Sequence, residues 1–498
     1  MYRAPDFFTV KRSALLYLVI VSLAGLGIFL ILRAGSHLPS PGSSIATPFI
    51  NSAAPQTAAG SSSLAGSVRA ALEQNAGDPL SRLFLQLFVV ISVSFLIAWI
   101  FTRYGQPAVV GEMMAGVLLG PSLFGLLAPH AFQFVFAPSS LEPLRLFSQI
   151  GVCLFMFAVG MEMDLSELRQ RAHTAIVVSH ASIIIPCLFG VTLALLLYDR
   201  LAQAGASFIA FALFMAISMS ITAFPVLVRI LQDRGMFKSS LGRIAAACAA
   251  VGDVTAWGLL AFVVAFAKAA NTAAAACCLG LVLIFVAVML FVIKPNLPAW
   301  LGKEALERLD PTKGVLAIVI GIVLAAALCT QLIGIRALFG AFVAGLIMPT
   351  AGGFRDKLVV RVENISSVLL LPVFFAFTGL RTEIGLLHNL SDWLICLLII
   401  GVATAGKLGG SALTARLTGM GWCESLQLGA LMNTRGLMEL IALNIGYELG
   451  ILSQRVFSML VIMALVTTIM TGPLLTFFGK KRRQATRPLD QQSRGIFD

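Results

Sequence analysis

Fourteen apolar runs, most of them near the length of a membrane span, divide the 498-residue chain. They cover 13–32, 83–101, 107–127, 144–161, 173–198, 206–230, 240–267, 272–293, 313–333, 337–350, 364–380, 392–415, 424–447 and 456–478. About 20 mainly apolar residues in a helix cross the hydrocarbon core of a bilayer, and a soluble domain has no place for so many such segments. Charged residues make up only 12% of the chain, against about 25% in an ordinary soluble protein. The pattern predicts an all-α polytopic membrane protein.

The first run stands apart. Residues 34–81 are rich in Ser, Ala, Pro and Gly, a composition that cannot bury enough surface to fold. The expected organisation is an N-terminal transmembrane helix at 1–33, a flexible extracytoplasmic linker at 34–81, a transmembrane domain at 82–478 and a short basic tail at 479–498. Lys11 and Arg12 precede the first run, which reads as an uncleaved helix, with a signal peptide as the alternative. The tail is too short for a regulatory domain.

Net charge is +12, from 35 Lys+Arg against 23 Asp+Glu. With the N-terminus placed in the cytoplasm, 24 of the basic residues fall on the inner side and nine on the outer, leaving Lys407 and Arg435 in mid-span. That is the ordinary positive-inside bias. It predicts an inner-membrane protein with both termini cytoplasmic, and it removes nucleic acid as a partner. Eight cysteines without a C-x-x-C and five scattered histidines offer neither a disulfide framework nor a zinc site. No Gly-rich phosphate loop is present and no cofactor is expected; the chain does not read as an enzyme.

An internal repeat emerges once the first run is set aside and the remaining thirteen are numbered as a core. Phe155 to Leu165, with Gly160 and Asp164, parallels Phe374 to Ile384, with Gly379 and Glu383. Ala115-Gly116 through Pro121 parallels Ala344-Gly345 through Pro349. Both partners lie seven runs further on, an odd offset, so the copies face opposite ways. The expected core is thirteen helices: two inverted six-helix repeats joined by the run at 272–293. Inverted repeats are a common build of secondary transporters, with the site at mid-membrane where the copies meet.

Ionisable groups inside a span cost about 2.5–3.5 kcal/mol each on insertion scales and are kept mainly for function or a paired contact. Four stand deep in spans here: Asp253, Lys407, Arg435 and Glu439; Glu112 sits nearer an interface. Asp253 lies in Ala249-Ala-Val-Gly-Asp253-Val-Thr-Ala-Trp257. Desolvation favours the neutral acid, and a bound cation or nearby ammonium favours the carboxylate, so proton and metal ion compete for one group. Lys407 sits at similar depth on the opposite repeat and is expected to form a salt bridge with Asp253 when no cation is bound. Its alternative role is structural, with the ammonium donating to a carbonyl.

Core runs five and twelve, equivalent in the repeat, are both interrupted at mid-span. Ser218-Met-Ser220-Ile-Thr222-Ala-Phe-Pro225 places hydroxyls before a proline, and Asn433-Thr434-Arg435-Gly436 is a polar break with Glu439 one turn on. Matching breaks in both halves point to a transport site, because freed carbonyls and half-helix ends coordinate ions. Ser220 and Thr222 are candidate cation ligands beside Asp253. The Arg435–Glu439 pair is expected to neutralise itself and the half-helix ends.

These segments resemble the monovalent cation:proton antiporter-2 family: Ser220 through Arg229, Ala249 through Trp257, Leu431 through Leu440, Val110-Gly-Glu112 through Ser122, Gly340 through Gly345, and Gly406-Lys407. The likeness spans roughly residues 82–478. It implies exchange of Na⁺ or K⁺ for protons, Asp253 as the shared site, Lys407 as its partner, crossed discontinuous helices, and a core moving against a dimerisation domain, usually in a homodimer within the lipid. Two departures matter. Gly252 stands where the family often has Asn or Asp, and the nucleotide-sensing domain of the potassium-efflux members is not expected in this sequence. The rival readings are a cation channel or uniporter, or a potassium-efflux system, of the same fold; a sensor or scaffold would not need the buried charges.

Overall fold

The computed structural model describes residues 78–162, 172–268 without 238, 272–302, 312–350 and 353–485, together with residue 75 and several positions between 19 and 33. Most of the expected linker, and the tail beyond residue 485, lie outside the described residues. Among the described residues the only strand-like feature is one isolated bridge, Ala202 to Leu452. Among the helices are α1 (Pro79–Arg103), α2 (Ala108–Leu119), α3 (Leu141–Glu162), α4 (Ala172–Leu201), α5 (Phe208–Ser220), α6 (Phe224–Asp233), α7 (Ser240–Lys268) and α8 (Thr272–Val288). Then follow α9 (Lys313–Ile333), α10 (Ala337–Leu346), α11 (Phe354–Ile365), α12 (Leu371–Leu380), α13 (Leu390–Thr404), α14 (Gly410–Leu417), α15 (Trp422–Met432), α16 (Leu437–Glu448) and α17 (Gln454–Ala485).

Eleven spans of described helix are long and apolar enough to cross a membrane. They account for eleven of the thirteen expected core runs. The run at 337–350 yields only the ten-residue α10, which stops short of Pro349, a residue that cannot extend it. The run at 424–447 is divided into α15 and α16 by its polar break. Boundaries shift elsewhere. Asp78 caps α1 by accepting the Leu80 amide at 3.1 Å, so that helix starts ahead of residue 82, and α17 continues past 479 to Ala485.

Lipid, not water, dictates which side chains face out. On α1 the inward stripe is Gln86, Val90, Ser94 and Ala98, spaced one turn apart, while Phe84, Phe88, Phe95 and Trp99 project outward. Large apolar groups outside and small or polar groups inside invert the soluble pattern. The Gln86 amide nitrogen finds partners in the interior, donating to the Val135 carbonyl and to Ser140 Oγ, each at 2.8 Å.

The repeat motifs meet in pairs. A Cβ on Gly345 of α10 would stand 2.1 Å from the Phe157 carbonyl of α3, and one on Gly160 would stand 2.2 Å from that of Phe342. Likewise a Cβ on Gly379 of α12 would stand 1.9 Å from the Gly116 carbonyl of α2, and one on Gly116 would stand 2.2 Å from the Phe375 carbonyl. Only glycine permits this backbone-to-backbone approach. Each contact joins one of the earlier motifs in the chain to one of the later ones.

Candidate functional site

Both interruptions lie where the sequence places them, and they touch. α5 ends at Ser220 and α6 begins at Phe224, leaving Ile221, Thr222 and Ala223 extended or irregular; α15 ends at Met432 and α16 begins at Leu437. Pro225 occupies the first turn of α6, where its missing N–H is not needed. Two hydrogen bonds join the breaks: the Ala223 amide donates to the Thr434 carbonyl at 3.0 Å, and Thr222 Oγ1 donates to the Met432 carbonyl at 3.1 Å. The second break is tied down further by α17, where the Arg435 amide donates to Thr468 Oγ1 at 3.1 Å and Thr434 Oγ1 lies 3.4 Å from Thr471 Oγ1.

Four helix ends therefore converge in the apolar interior, and buried charges answer them. The last carbonyls of α5 carry the negative end of its dipole. Arg435 donates to the Ser218 carbonyl and, at 2.8 Å, to that of Met219; Lys407 donates to the Ser220 carbonyl. Glu439 stands in the first turn of α16, at its positive end, 3.2 Å from Arg435 Nη1. Asp253, in the middle of α7, lies by the Phe224 amide that opens α6, without closing a hydrogen bond to it. Asp253, Lys407, Arg435 and Glu439 are all within 1% of complete burial.

The expected salt bridge between Asp253 and Lys407 is not formed. Lys407 Nζ is instead shared between two carbonyls, Ser220 and, at 2.9 Å, Ser182 of α4. The reason lies four residues beyond Ser182. Pro186, inside α4, has no amide to donate back, so the Ser182 carbonyl is left free to accept the ammonium. Lys407 itself sits in a π-helical turn, Ala405–Gly409, between α13 and α14, a local widening frequent at functional sites. Gly406 lets that turn approach closely, since a Cβ there would stand 3.3 Å from Pro186 Cα and 2.9 Å from the Phe189 ring.

Asp253 is left with both carboxyl oxygens buried and without a hydrogen-bond partner among the described residues. An ionised carboxylate so placed is strongly disfavoured; the group needs a proton or a cation. Ser220 Oγ is engaged by its own helix and α4, donating within reach of the Ala216 carbonyl at 2.6 Å and the Ile183 carbonyl at 3.0 Å. Both side-chain amide atoms of Asn433 are likewise buried and without a hydrogen-bond partner among the described residues.

Sequence reasoning passed over Pro186 with its freed carbonyl, although a proline inside an apolar run was the available signal. It also passed over a cluster at the opposite end of α16 from the break. There Glu448 pairs with Arg336 at 2.5 Å and Arg381 at 3.0 Å, and Arg381 also donates to Asn444 Oδ1 at 2.9 Å. No spacing rule links 336, 381 and 448; only the fold brings them together.

Comparison with known proteins shows the family and the fold. Residues 90–481 match the family described as sodium/hydrogen exchanger, transmembrane. The chain is 40% identical over 400 residues to the Na(+)/H(+) antiporter NhaS4 of Synechocystis, a match covering 80% of this chain and 97% of that protein. It is 37% identical to cation/H(+) antiporter 17 of Arabidopsis thaliana and 33% identical to K(+)/H(+) antiporter 1 of Saccharomyces cerevisiae, covering 82% and 80% of this chain but only 50% and 46% of those longer proteins. Among solved structures, the sodium proton antiporter MjNhaP1 from Methanocaldococcus jannaschii shares the fold, with a TM-score of 0.54 at 16% identity over 79% of this chain and 96% of that one. With a family match across most of its length, the chain belongs to the sodium/hydrogen exchanger family.

Proposed function

We propose that this protein is a secondary antiporter that exchanges a monovalent cation, Na⁺ or K⁺, for protons across the membrane, with Asp253 as the group both substrates share. One observation carries the reading: a fully buried carboxyl, beside the crossing of two broken helices, whose oxygens close no hydrogen bond among the described residues. Such a group is neutral when it holds H⁺ and neutralised when it holds a cation, so an empty ionised site is the costly state to carry across. That cost couples the two fluxes.

In this reading the crossing is pre-organised by Lys407 and Arg435, which hold the last turn of α5 and leave Asp253 free to titrate. Thr222, Ser220 and the carbonyls of the break lie on the cation's approach, and Asn433 offers an amide oxygen from the other break. Pro225, Thr434 and Glu439 shape the break and compensate the helix ends. The paired glycine contacts support two inverted six-helix repeats, each motif meeting the other half's complement. Alternating access then moves the crossing relative to the glycine-paired helices, with the protein placed as a homodimer in the inner membrane and both termini cytoplasmic.

The test uses purified protein in sealed proteoliposomes with a pH-sensitive dye. Addition of Na⁺ or K⁺ to vesicles holding the parent chain is expected to move protons, and Asp253→Asn is expected to abolish that movement while membrane insertion stays normal. Cation-driven proton flux of parental size in Asp253→Asn overturns the assignment. Electrical current without a fixed exchange ratio establishes a channel instead.

A further inference from the structure

A wholly buried hydroxyl stands beside the position preceding Asp253. Ser179 of α4 is 0% exposed, and its Oγ has no hydrogen-bond partner among the described residues. A Cβ built on Gly252 of α7 would meet Ser179 Oγ at 3.3 Å and, beyond its own stretch of helix, no other heavy atom of the described residues within 4 Å. The two helices thus bring a serine oxygen into the space that a side chain at 252 would fill, one residue before the unpartnered carboxyl. A buried hydroxyl with no partner is costly, so its persistence asks for one.

We propose that Ser179 is a binding residue for the transported cation, its Oγ supplying from α4 the oxygen that position 252 lacks. The inference rests on Asp253 being the exchange site. A hydroxyl is a hard, neutral ligand suited to an alkali ion. Being uncharged, it helps hold the cation while leaving the carboxyl as the group that changes charge. Its placement is fixed from the same helix turn: Ser182 Oγ donates to the Ser179 carbonyl at 2.8 Å, and the Ser182 carbonyl accepts Lys407. One turn of α4 therefore reaches both the lysine and the neighbourhood of the aspartate.

The measurement is the Na⁺ and K⁺ concentration dependence of proton movement in proteoliposomes, for the parent, Ser179→Ala, Ser179→Cys, and Ser179→Ala combined with Gly252→Ser. Loss of one oxygen contact to a charged ligand predicts a KM raised about tenfold in both single variants, with the maximal rate nearly unchanged. The double variant moves the hydroxyl from one helix to the other, into space the alanine leaves, and is expected to recover most of the affinity. Ser179→Cys keeps the side-chain volume, so it serves if the alanine variant does not fold. An unchanged KM in the single variants overturns the proposal. So does a fall in maximal rate without a change in KM, or a raised KM that the double variant does not recover, since either marks a packing role. Asp253→Asn in the same vesicles keeps the two readings apart: exchange surviving in that variant removes the aspartate assignment, whereas a lost Asp253→Asn activity with an unaltered Ser179→Ala KM removes only the serine.

Discussion

Where α2 meets α12 and α3 meets α10, the helices touch backbone to backbone through Gly116, Gly379, Gly160 and Gly345. Where the breaks of α5–α6 and α15–α16 pass, the chain instead holds Asp253, Lys407, Arg435 and Glu439 and joins loose helix ends by hydrogen bonds. The first arrangement is governed by shape. No proton or ion alters the closeness that glycine permits, so its geometry is the same at any pH. The second is governed by charge and desolvation, terms that change as soon as a proton or cation arrives. A membrane protein that must respond to ions while keeping its frame gains from separating the two.

That contrast can be broken at several points. The largest effect is expected from Gly379→Leu, because the first side-chain atom alone would stand 1.9 Å from a backbone carbonyl. Overpacking of this kind costs about 1–3 kcal/mol or more, and the variant is expected to lose monodisperse protein in size-exclusion chromatography and to melt at lower temperature than the parent at every pH tested. A normal melting profile would show that the glycine contact is dispensable.

Lys407→Ala tests the other region. It removes the donor to the Ser182 and Ser220 carbonyls and takes a positive charge from the surroundings of Asp253. The pH profile of exchange is expected to differ from that of the parent, with a smaller effect on yield than Gly379→Leu. A profile that does not move would take Lys407 out of the mechanism.

The smallest effect is expected from Gly258→Ala. This glycine is exposed on α7 with nothing within 4 Å of an added Cβ, although it lies on the same helix as Asp253. Exchange should be unchanged and stability should stay within about 0.5 kcal/mol of the parent, read from the melting midpoint. A marked loss would mean that this face of α7 has a partner in the membrane.

Much of this was legible before any coordinates. Apolar runs announce spans because a bilayer admits little else, and Thr222–Pro225 and Asn433–Gly436 announce breaks because proline, glycine and polar groups are poor mid-membrane helix residues. What stayed hidden depends on which way a side chain or carbonyl turns. Ser179, Ser182 and Ser220 are alike in sequence. In the fold Ser179 has an idle hydroxyl by Gly252, Ser182 offers its carbonyl to Lys407, and Ser220 spends its hydroxyl within its own helix and on α4. Lys407 and Asp253 are opposite charges at similar depth, and pairing them was the natural expectation. Proline chemistry on α4 and the end of α5 each provide the lysine with another acceptor.

The carbonyl that Pro186 sets free has a genetic corollary. Its oxygen belongs to the peptide unit, so a codon change to another small residue at the buried position 182, such as alanine, leaves the lysine's acceptor in place. Control of that anchor resides at 186, where any residue other than proline restores a competing amide.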